Sequence, residues 1–253
     1  MSHLNEPPFA NTSMTTRRPR AILFDLDGTL ADTAPDLAAA MNLLRARAGL
    51  APTPYELLRP AASAGARGMI GVAFGAQPGD DGYEELRVDF LDNYAAALMV
   101  HSSLFPGVAD MLNGLARLGL GWGVVTNKPA RFTDPLIGLI GLQQAACVIS
   151  GDTTAHAKPH PAPLFEAAQR LGLAPGECWY VGDDLRDIEA GRAAGMVTVA
   201  CAWGYCGPVE PQGWGADYLL ETPLALLDLA RSVAELGAEV ELARSVAPAE
   251  LLA

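Results

Sequence analysis

The feature that most limits the fold of this chain is a series of short apolar runs, several of which end in polar residues. They are AILFDL (21–26), GWGVVTN (121–127), ACVIS (146–150), CWYVGDD (178–184), MVTVACAW (196–203) and ADYLL (216–220). Each run has the length and composition of a buried strand. Amphipathic helical patterns that close on Gly, such as PAPLFEAAQRLG, separate the later runs. Alternating strands and helices predict an α/β fold with a doubly wound parallel sheet, which is a Rossmann-like core.

A long helical insertion interrupts this alternation between the first and second runs. Residues 35–104 are rich in Ala, Leu and Arg, show helical periodicity and contain no convincing strand. The stretch is too long for a simple crossover, and Pro35 and Pro106 mark breaks near its two ends. We therefore expect a separate helical cap domain over residues 35–104, placed as a lid on a core domain of residues 21–34 and 105–235.

The two ends of the chain are expected to lie outside this core. Residues 1–20 are polar and show no period of 2 or 3.6, which predicts a mobile tail, with Met14 as an alternative start to Met1. The last helical pattern becomes polar and irregular, so residues 236–253 are expected to fray. The sequence indicates no particular oligomeric state.

Charge and composition exclude several classes of function. The formal net charge of −12 repels nucleic acid and anionic lipid. No uninterrupted apolar run of about 18 residues is present to cross a membrane, and the N-terminal segment lacks an apolar run suited to secretion. We therefore expect a cytoplasmic protein whose partner is a small molecule. The four cysteines form no CxxC pair, which argues against a zinc site or a disulfide framework.

Polar residues cluster after four of the predicted strands. Ligands of a doubly wound sheet bind outside the carboxyl ends of its strands, so we expect these side chains to meet in one crevice. In chain order they are Asp25, Asp27, Thr126, Asn127, Lys158, Asp183, Asp184 and Asp187.

Several carboxylates and one lysine in a crevice point to phosphate chemistry. Carboxylates repel one another unless a cation neutralises them, and oxygen ligands of this kind suit Mg²⁺. With the metal and Lys158 cancelling charge, a phosphate dianion could approach, and one Asp could attack phosphorus directly. Asp27, two residues after Asp25, could protonate the leaving oxygen and later deprotonate the attacking water. Its backbone carbonyl is a further candidate ligand of the metal.

The strings FDLDGTLADT, VVTNKP, KPHP and VGDDLRDIEAG, in this order, resemble the signature of the haloacid dehalogenase superfamily. The resemblance spans about residues 21–230. It implies a nucleophile, an acid/base, two phosphate-binding residues, a charge-stabilising lysine and a metal site. By this resemblance Asp25 is the nucleophile, Asp27 is the acid/base, Thr126 and Asn127 bind phosphate, and Lys158 stabilises charge. The implied Mg²⁺ ligands are Asp25, Asp27, Asp183 and Asp187.

Two details of the resemblance bear on mechanism. Asp184 and Asp187 both stand where the superfamily has an additional acidic residue, and we favour Asp187 for orienting Lys158. An Asp two residues after the nucleophile argues for phosphoryl transfer, because the halide leaving group of a dehalogenase needs no proton donor.

The substrate is less clearly indicated than the chemistry. Phosphoglycolate phosphatases resemble this chain in all four motifs and in the helical cap. The strings SAGARGM, HSSLF, WGVVTNKPARF and WGAD are closer to N-acetylmuramic acid 6-phosphate phosphatases of cell-wall recycling, and Asp184 and Arg186 stand where many phosphoglycolate enzymes have Ser and Asn. Within the cap, Arg67 is the candidate contact for an anionic substrate tail, with His101 and Ser102 as further candidates.

The function expected from the sequence is a magnesium-dependent phosphomonoesterase of the phosphoglycolate phosphatase type, acting on a small anionic ester through an aspartyl-phosphate. N-acetylmuramic acid 6-phosphate is the alternative substrate. A phosphosugar mutase would keep the same motifs, whereas a non-catalytic scaffold would be expected to lose Asp25, Asp27 or Lys158, all of which are present.

Overall fold

The structure is a computed structural model that describes residues 18–207 and 209–246. Most of the predicted N-terminal tail, residues 1–17, lies outside the described residues. The last residues of that predicted tail are packed, because Pro19 is buried and Arg20 forms an ion pair of 3.2 Å with Glu177.

Six parallel strands form the central sheet, and they correspond to the six runs predicted from the sequence. The described residues contain eight strands: β1 (Ala21–Phe24), β2 (Ala31–Asp32), β3 (Ser103–Leu104), β4 (Gly121–Val125), β5 (Val148–Ile149), β6 (Cys178–Gly182), β7 (Val197–Cys201) and β8 (Tyr218–Leu220). The sheet has the order β5-β4-β1-β6-β7-β8. The predicted doubly wound α/β fold is confirmed. The strands are shorter than the runs because residues at one or both ends of each run, including Asp25, Thr126 and Asp183, lie outside the strands.

Helices flank this sheet and fill the insertion. In the described part of the chain they are α1 (Ala34–Arg47), α2 (Tyr55–Leu58), α3 (Gly65–Phe74), α4 (Tyr83–Ala96), α5 (Val108–Arg117), α6 (Ala130–Leu139), α7 (Ala162–Leu171), α8 (Leu185–Ala193) and α9 (Pro223–Val246). Short 3₁₀ helices cover Arg59–Ala64, Pro175–Glu177 and Pro211–Gly213. Helices α1 to α4 lie between β1 and β4 in sequence, and α1 packs against both α3 and α4.

A two-residue antiparallel pair, β2 with β3, was not anticipated from the sequence. Ala31 pairs with Leu104 and Asp32 with Ser103, so the chain enters and leaves the helical insertion at one place. Strands this short carry no alternating pattern that could reveal them. The buried Asp36 carboxylate reinforces the junction, because it accepts hydrogen bonds from the backbone N–H groups of residues 100–102.

The apolar core lies on both faces of β1. Ile22 and Phe24 are fully buried in a cluster on one face, while Ala21 and Leu23 belong to a separate cluster on the other. This alternation follows from the two-residue period of a strand and explains why the run is apolar throughout. The first cluster continues into α1 and α4, so apolar packing joins the helical insertion to the sheet.

Helix α9 extends further than the sequence suggested. It continues to Val246, so residues 236–246 of the segment expected to fray are helical, and residues 247–253 lie outside the described part. Its first half packs against α5, and Leu226, Ala230 and Val233 are buried there. Gly114 on α5 permits this approach, because a Cβ at that position would collide with Leu227.

The sequence predicted neither a membrane-spanning segment nor a disulfide framework, and both points can be compared with the described residues. None of the helices found there combines the length and the apolarity that crossing a bilayer requires. All four cysteines are free thiols. Burial raises the pKa values of Cys147 and Cys178 to about 11, so both thiols stay protonated near neutral pH.

The packing of α9 can be tested with two leucines on the same helix. Leu226→Ala should lower the free energy of unfolding by roughly 2–5 kcal/mol, because it leaves a cavity beneath a fully buried side chain. Leu224→Ala, at a position that is 45% exposed, should change it by about 0.5 kcal/mol or less. Urea denaturation of both variants measures the difference, and equal effects would contradict this placement of α9.

Candidate active site

The polar residues after β1, β4 and β6 meet at one edge of the sheet. These three strands are neighbours and run parallel, so their carboxyl ends lie side by side. Asp25 follows β1, Thr126 follows β4, and Asp183 follows β6. The crevice expected from the sequence is therefore present, with its polar side chains at the point where the strands end.

Three carboxylates form a compact acidic cluster at this edge. One oxygen from each of Asp25, Asp183 and Asp187 lies within 4.8 Å of the others. Asp183 is completely buried and accepts hydrogen bonds of 2.9 Å from the Thr29 hydroxyl and the Tyr205 backbone N–H. It forms no ion pair with any described residue. Burial, followed by the charges of Asp25 and Asp187, raises the pKa of Asp183 well above its usual value. This set of oxygen donors fits a hard divalent cation, whose charge would offset that repulsion.

Glycine is required where the first loop crosses this cluster. Gly28 has φ +89°, a conformation that residues with a Cβ rarely adopt, and a Cβ there would collide with the Asp183 carboxylate. A Cβ at Gly204 would also meet Asp183. The close approach of these two backbone segments encloses the carboxylate and explains its burial.

Lys158 supplies the positive charge beside the cluster. Its ammonium lies 2.8 Å from Asp25 Oδ1 and 2.7 Å from Asp187 Oδ1, and it donates to the Tyr180 hydroxyl at 2.7 Å and the Val125 carbonyl at 3.0 Å. Burial alone would lower the pKa of Lys158, but the carboxylates of Asp187 and Asp25 outweigh it and the pKa lies above its usual value. The lysine therefore stays charged next to Asp25.

Asn127 lines the cavity and also contacts the backbone of Lys158. Its amide oxygen accepts from the Lys158 backbone N–H and its amide nitrogen donates to the Lys158 carbonyl, both at 2.9 Å. The side chain predicted to bind phosphate thus holds the lysine loop in place. Thr126 is buried at the end of β4 and lines the same cavity.

Asp27 lies next to the acidic cluster but its carboxylate does not join it. Both carboxylate oxygens accept hydrogen bonds from the Lys128 ammonium, at 3.0 and 3.2 Å, and Oδ1 also accepts one from the Thr33 hydroxyl. The backbone carbonyl oxygen of Asp27 therefore remains the candidate metal ligand of this residue. Sequence reasoning assigned no role to Lys128, although a basic residue directly after Thr126 and Asn127 was a usable signal.

The two candidates for the additional acidic residue have separate contacts. Asp184 caps the N-terminus of α8 and forms an ion pair of 2.8 Å with Arg186. Asp187, one turn further on, contacts Lys158, which is the role that the sequence favoured. Burial raises the pKa of Asp187 to about 6, although the ammonium of Lys158 opposes this shift.

A cavity of about 280 Å³ lies between this sheet edge and the helical insertion. Asp25, Thr126 and Lys158 belong to its polar end, and Phe90, Leu91 and Phe132 are among its apolar residues. Charged groups therefore share a small space with an apolar wall, which strengthens electrostatic interactions there.

The predicted contact of Arg67 with the substrate is not supported. Arg67 is exposed on α3 and does not line the cavity, because α3 buries Met69 and Ile70 and leaves Arg67 facing solvent. Ser63 and Gly65, from the same segment, do line it. The arginines that line the cavity are Arg87 and Arg186.

His101 and Ser102, the other two candidate substrate contacts, do not line the cavity either. His101 is exposed, and Ser102 is buried with its hydroxyl and N–H donating to Asp36. Both therefore serve the junction between the insertion and the sheet.

Tyr205 is a further residue that the sequence did not reveal. Its hydroxyl accepts from the backbone N–H groups of Thr33 and Ala34 and donates to Asp32, while its own N–H donates to Asp183. It connects the start of the helical insertion to the acidic cluster. No motif marks it, because this placement arises only when the chain is folded.

Comparisons with known proteins agree with this geometry. A family model described as haloacid dehalogenase-like hydrolase matches residues 19–195. An N-acetylmuramic acid 6-phosphate phosphatase of Pseudomonas putida is 46% identical over 83% of this chain and 95% of its own length. A phosphoglycolate phosphatase of Xanthomonas campestris pv. campestris is 48% identical over 82% of this chain and 94% of its own. A crystal structure from Haemophilus somnus, titled a predicted phosphoglycolate phosphatase, has a TM-score of 0.75 at 28% identity and covers 85% of this chain and 99% of that one. The chain therefore belongs to the haloacid dehalogenase-like hydrolase family.

Proposed function

We propose that this hydrolase is a magnesium-dependent phosphomonoesterase that forms an aspartyl-phosphate on Asp25. The observation that carries the proposal is the ammonium of Lys158, buried 2.8 Å from the Asp25 carboxylate at the polar end of the cavity. Such a charge offsets the repulsion between a phosphate dianion and an attacking carboxylate. The proposed nucleophile also lies next to the other carboxylates of the site.

The residues of the site suggest how each step proceeds. Asp25 attacks phosphorus, the ester P–O bond breaks, and Asp27 donates its proton to the departing alcohol oxygen. Asp27 then accepts a proton from water as that water attacks the phosphorus, which releases phosphate and restores Asp25. Thr126 contributes a hydroxyl at the phosphate end of the cavity, and Asn127 keeps Lys158 in position.

Magnesium would be held by Asp25, Asp183 and Asp187, together with the backbone carbonyl of Asp27. When bound, it supplies positive charge between the carboxylates and the transferring phosphoryl group. The buried and otherwise uncompensated Asp183 supports this assignment.

The proposed substrate is a small anionic phosphate ester of the phosphoglycolate type. The two curated relatives are named for phosphoglycolate and for N-acetylmuramic acid 6-phosphate, and both of these esters carry a carboxylate. The larger muramic ester is the second candidate, and a cavity of about 280 Å³ with an apolar wall is compatible with it. A net charge of −12 supports a small-molecule substrate over nucleic acid or anionic membrane, and we propose that the enzyme acts in the cytoplasm.

The nucleophile and the substrate can be tested together. We expect phosphate release from phosphoglycolate or N-acetylmuramic acid 6-phosphate with Mg²⁺, and Asp25→Asn should reduce it at least about 1,000-fold because the attacking carboxylate is lost. Asp228→Asn, at an exposed position on α9, is the control and should keep full activity. Retained hydrolysis by Asp25→Asn would contradict the mechanism. Conversion of glucose 1-phosphate to glucose 6-phosphate would indicate a mutase instead.

The metal site can be tested without turnover. Mg²⁺ at about 100 times its dissociation constant should raise the melting temperature by about 5–10 °C, since it binds the folded state. Asp183→Asn should lose this increase because it removes a carboxylate from the cluster, and Asp184→Asn should keep it because Asp184 pairs with Arg186. Differential scanning calorimetry measures both. A full increase in Asp183→Asn would exclude Asp183 as a ligand.

A further inference from the structure

One buried hydroxyl group at the cavity has an O–H donor without an acceptor. Tyr94, on α4, has no solvent-exposed surface and is one of the residues that line the cavity. Its O–H donor has no acceptor among the described residues, because the polar group beside it, the Lys128 ammonium, is itself a donor. Buried hydroxyl groups are nearly always hydrogen-bonded, so a donor left free beside a cavity calls for an acceptor on the ligand.

A buried ammonium lies beside this hydroxyl-bearing ring. Lys128 Nζ is 4.6 Å from the centroid of the Tyr94 ring, and the lysine side chain is only 7% exposed. The ammonium has three N–H donors, of which the two oxygens of Asp27 engage at most two. An O–H donor next to a cation in a space of low polarity favours an anionic oxygen, such as that of a carboxylate.

The position of this pair indicates which part of the substrate it would meet. Lys128 is 3.0 Å from the carboxylate of Asp27, the group proposed to donate its proton to the bridging ester oxygen. A ligand atom that reaches both Lys128 and Tyr94 therefore belongs to the alcohol part of the ester. The phosphate itself would lie at Asp25 and Lys158.

The two arginines that line the cavity are less suited than Lys128 to a buried anion. Arg186 donates to both oxygens of Asp184 and to the carbonyl of Ser63. Arg87 pairs with Glu84 at 2.8 Å, and its side chain is 42% exposed. Among the described residues that line the cavity, Lys128 is thus the buried cation that lies beside an unused O–H donor, that of Tyr94.

We propose that Lys128 and Tyr94 form a subsite that binds a carboxylate of the leaving alcohol. The enzyme would then select phosphate esters of hydroxy acids over otherwise similar esters that lack the acid group. This inference rests on the proposed phosphatase function and assigns to these two residues the recognition that the sequence had assigned to Arg67. It applies to a short hydroxy acid and to an acid-bearing sugar alike, because the recognised group is the same.

The test compares substrates that differ in the acid group. Phosphoglycolate is paired with 2-hydroxyethyl phosphate, and N-acetylmuramic acid 6-phosphate with N-acetylglucosamine 6-phosphate. For wild-type enzyme we expect kcat/KM to favour the acid in at least one pair by at least about tenfold. The pair that shows the preference identifies which kind of acid the subsite accepts.

Variants then assign the preference to residues. Tyr94→Phe removes only the hydroxyl and should lower the acid-to-neutral ratio of kcat/KM at least about fivefold, mainly through a higher KM for the acid. Lys128→Met should lower the same ratio further, even though its contact with Asp27 slows both substrates. Tyr83→Phe is the matched control on α4, since Tyr83 is buried outside the cavity, and it should leave the ratio unchanged.

The outcomes separate this proposal from the function on which it rests. If wild-type enzyme hydrolyses both members of each pair equally well, or if neither Tyr94→Phe nor Lys128→Met changes the ratio, the subsite is wrong and the phosphatase function stands. Release of phosphate from none of the four esters would overturn the proposed function and the subsite with it.

Discussion

The ammonium of Lys158, buried between the carboxylates of Asp25 and Asp187, is the interaction on which the rest of the site depends. Removing a charge from water is costly unless nearby groups compensate for it. Here two carboxylates, the Tyr180 hydroxyl and the Val125 carbonyl do so. Because these groups come from β1, β4, β6 and α8, the lysine fixes the relative positions of the elements that surround the phosphate end of the cavity.

The same arrangement leaves the acidic cluster with an excess of negative charge. Asp25, Asp183 and Asp187 together carry more negative charge than Lys158 can offset, and Asp183 has no ion pair among the described residues. A fold that buries carboxylates in this way stabilises them only through a further cation and hydrogen bonds. The energetic cost of burying these carboxylates thus favours the binding of a divalent cation at the cluster.

The sequence predicted the sheet and the acidic residues well, because both leave regular local patterns. A buried parallel strand is a continuous apolar run, and its functional residues follow directly after it. Placement on a helix face is harder to predict, and Arg67, the cap residue expected to contact the substrate, lies outside the lining of the cavity. The contacts of Lys128, Tyr94 and Tyr205 join residues far apart in the chain, so no local pattern could reveal them. The pairing of β2 with β3 was missed because two residues are too few to show a period.

The junction made by β2, β3 and Asp36 has a consequence for how such a chain can change over time. Because Ala31 and Leu104 are paired neighbours, the intervening segment leaves the sheet and returns to the same point. Its length and sequence can vary without altering the register of β1 with β4 and β6. Loop-closure entropy grows only slowly with length, so such variation is thermodynamically inexpensive. The helical insertion can therefore diversify while the groups at the sheet edge keep their positions.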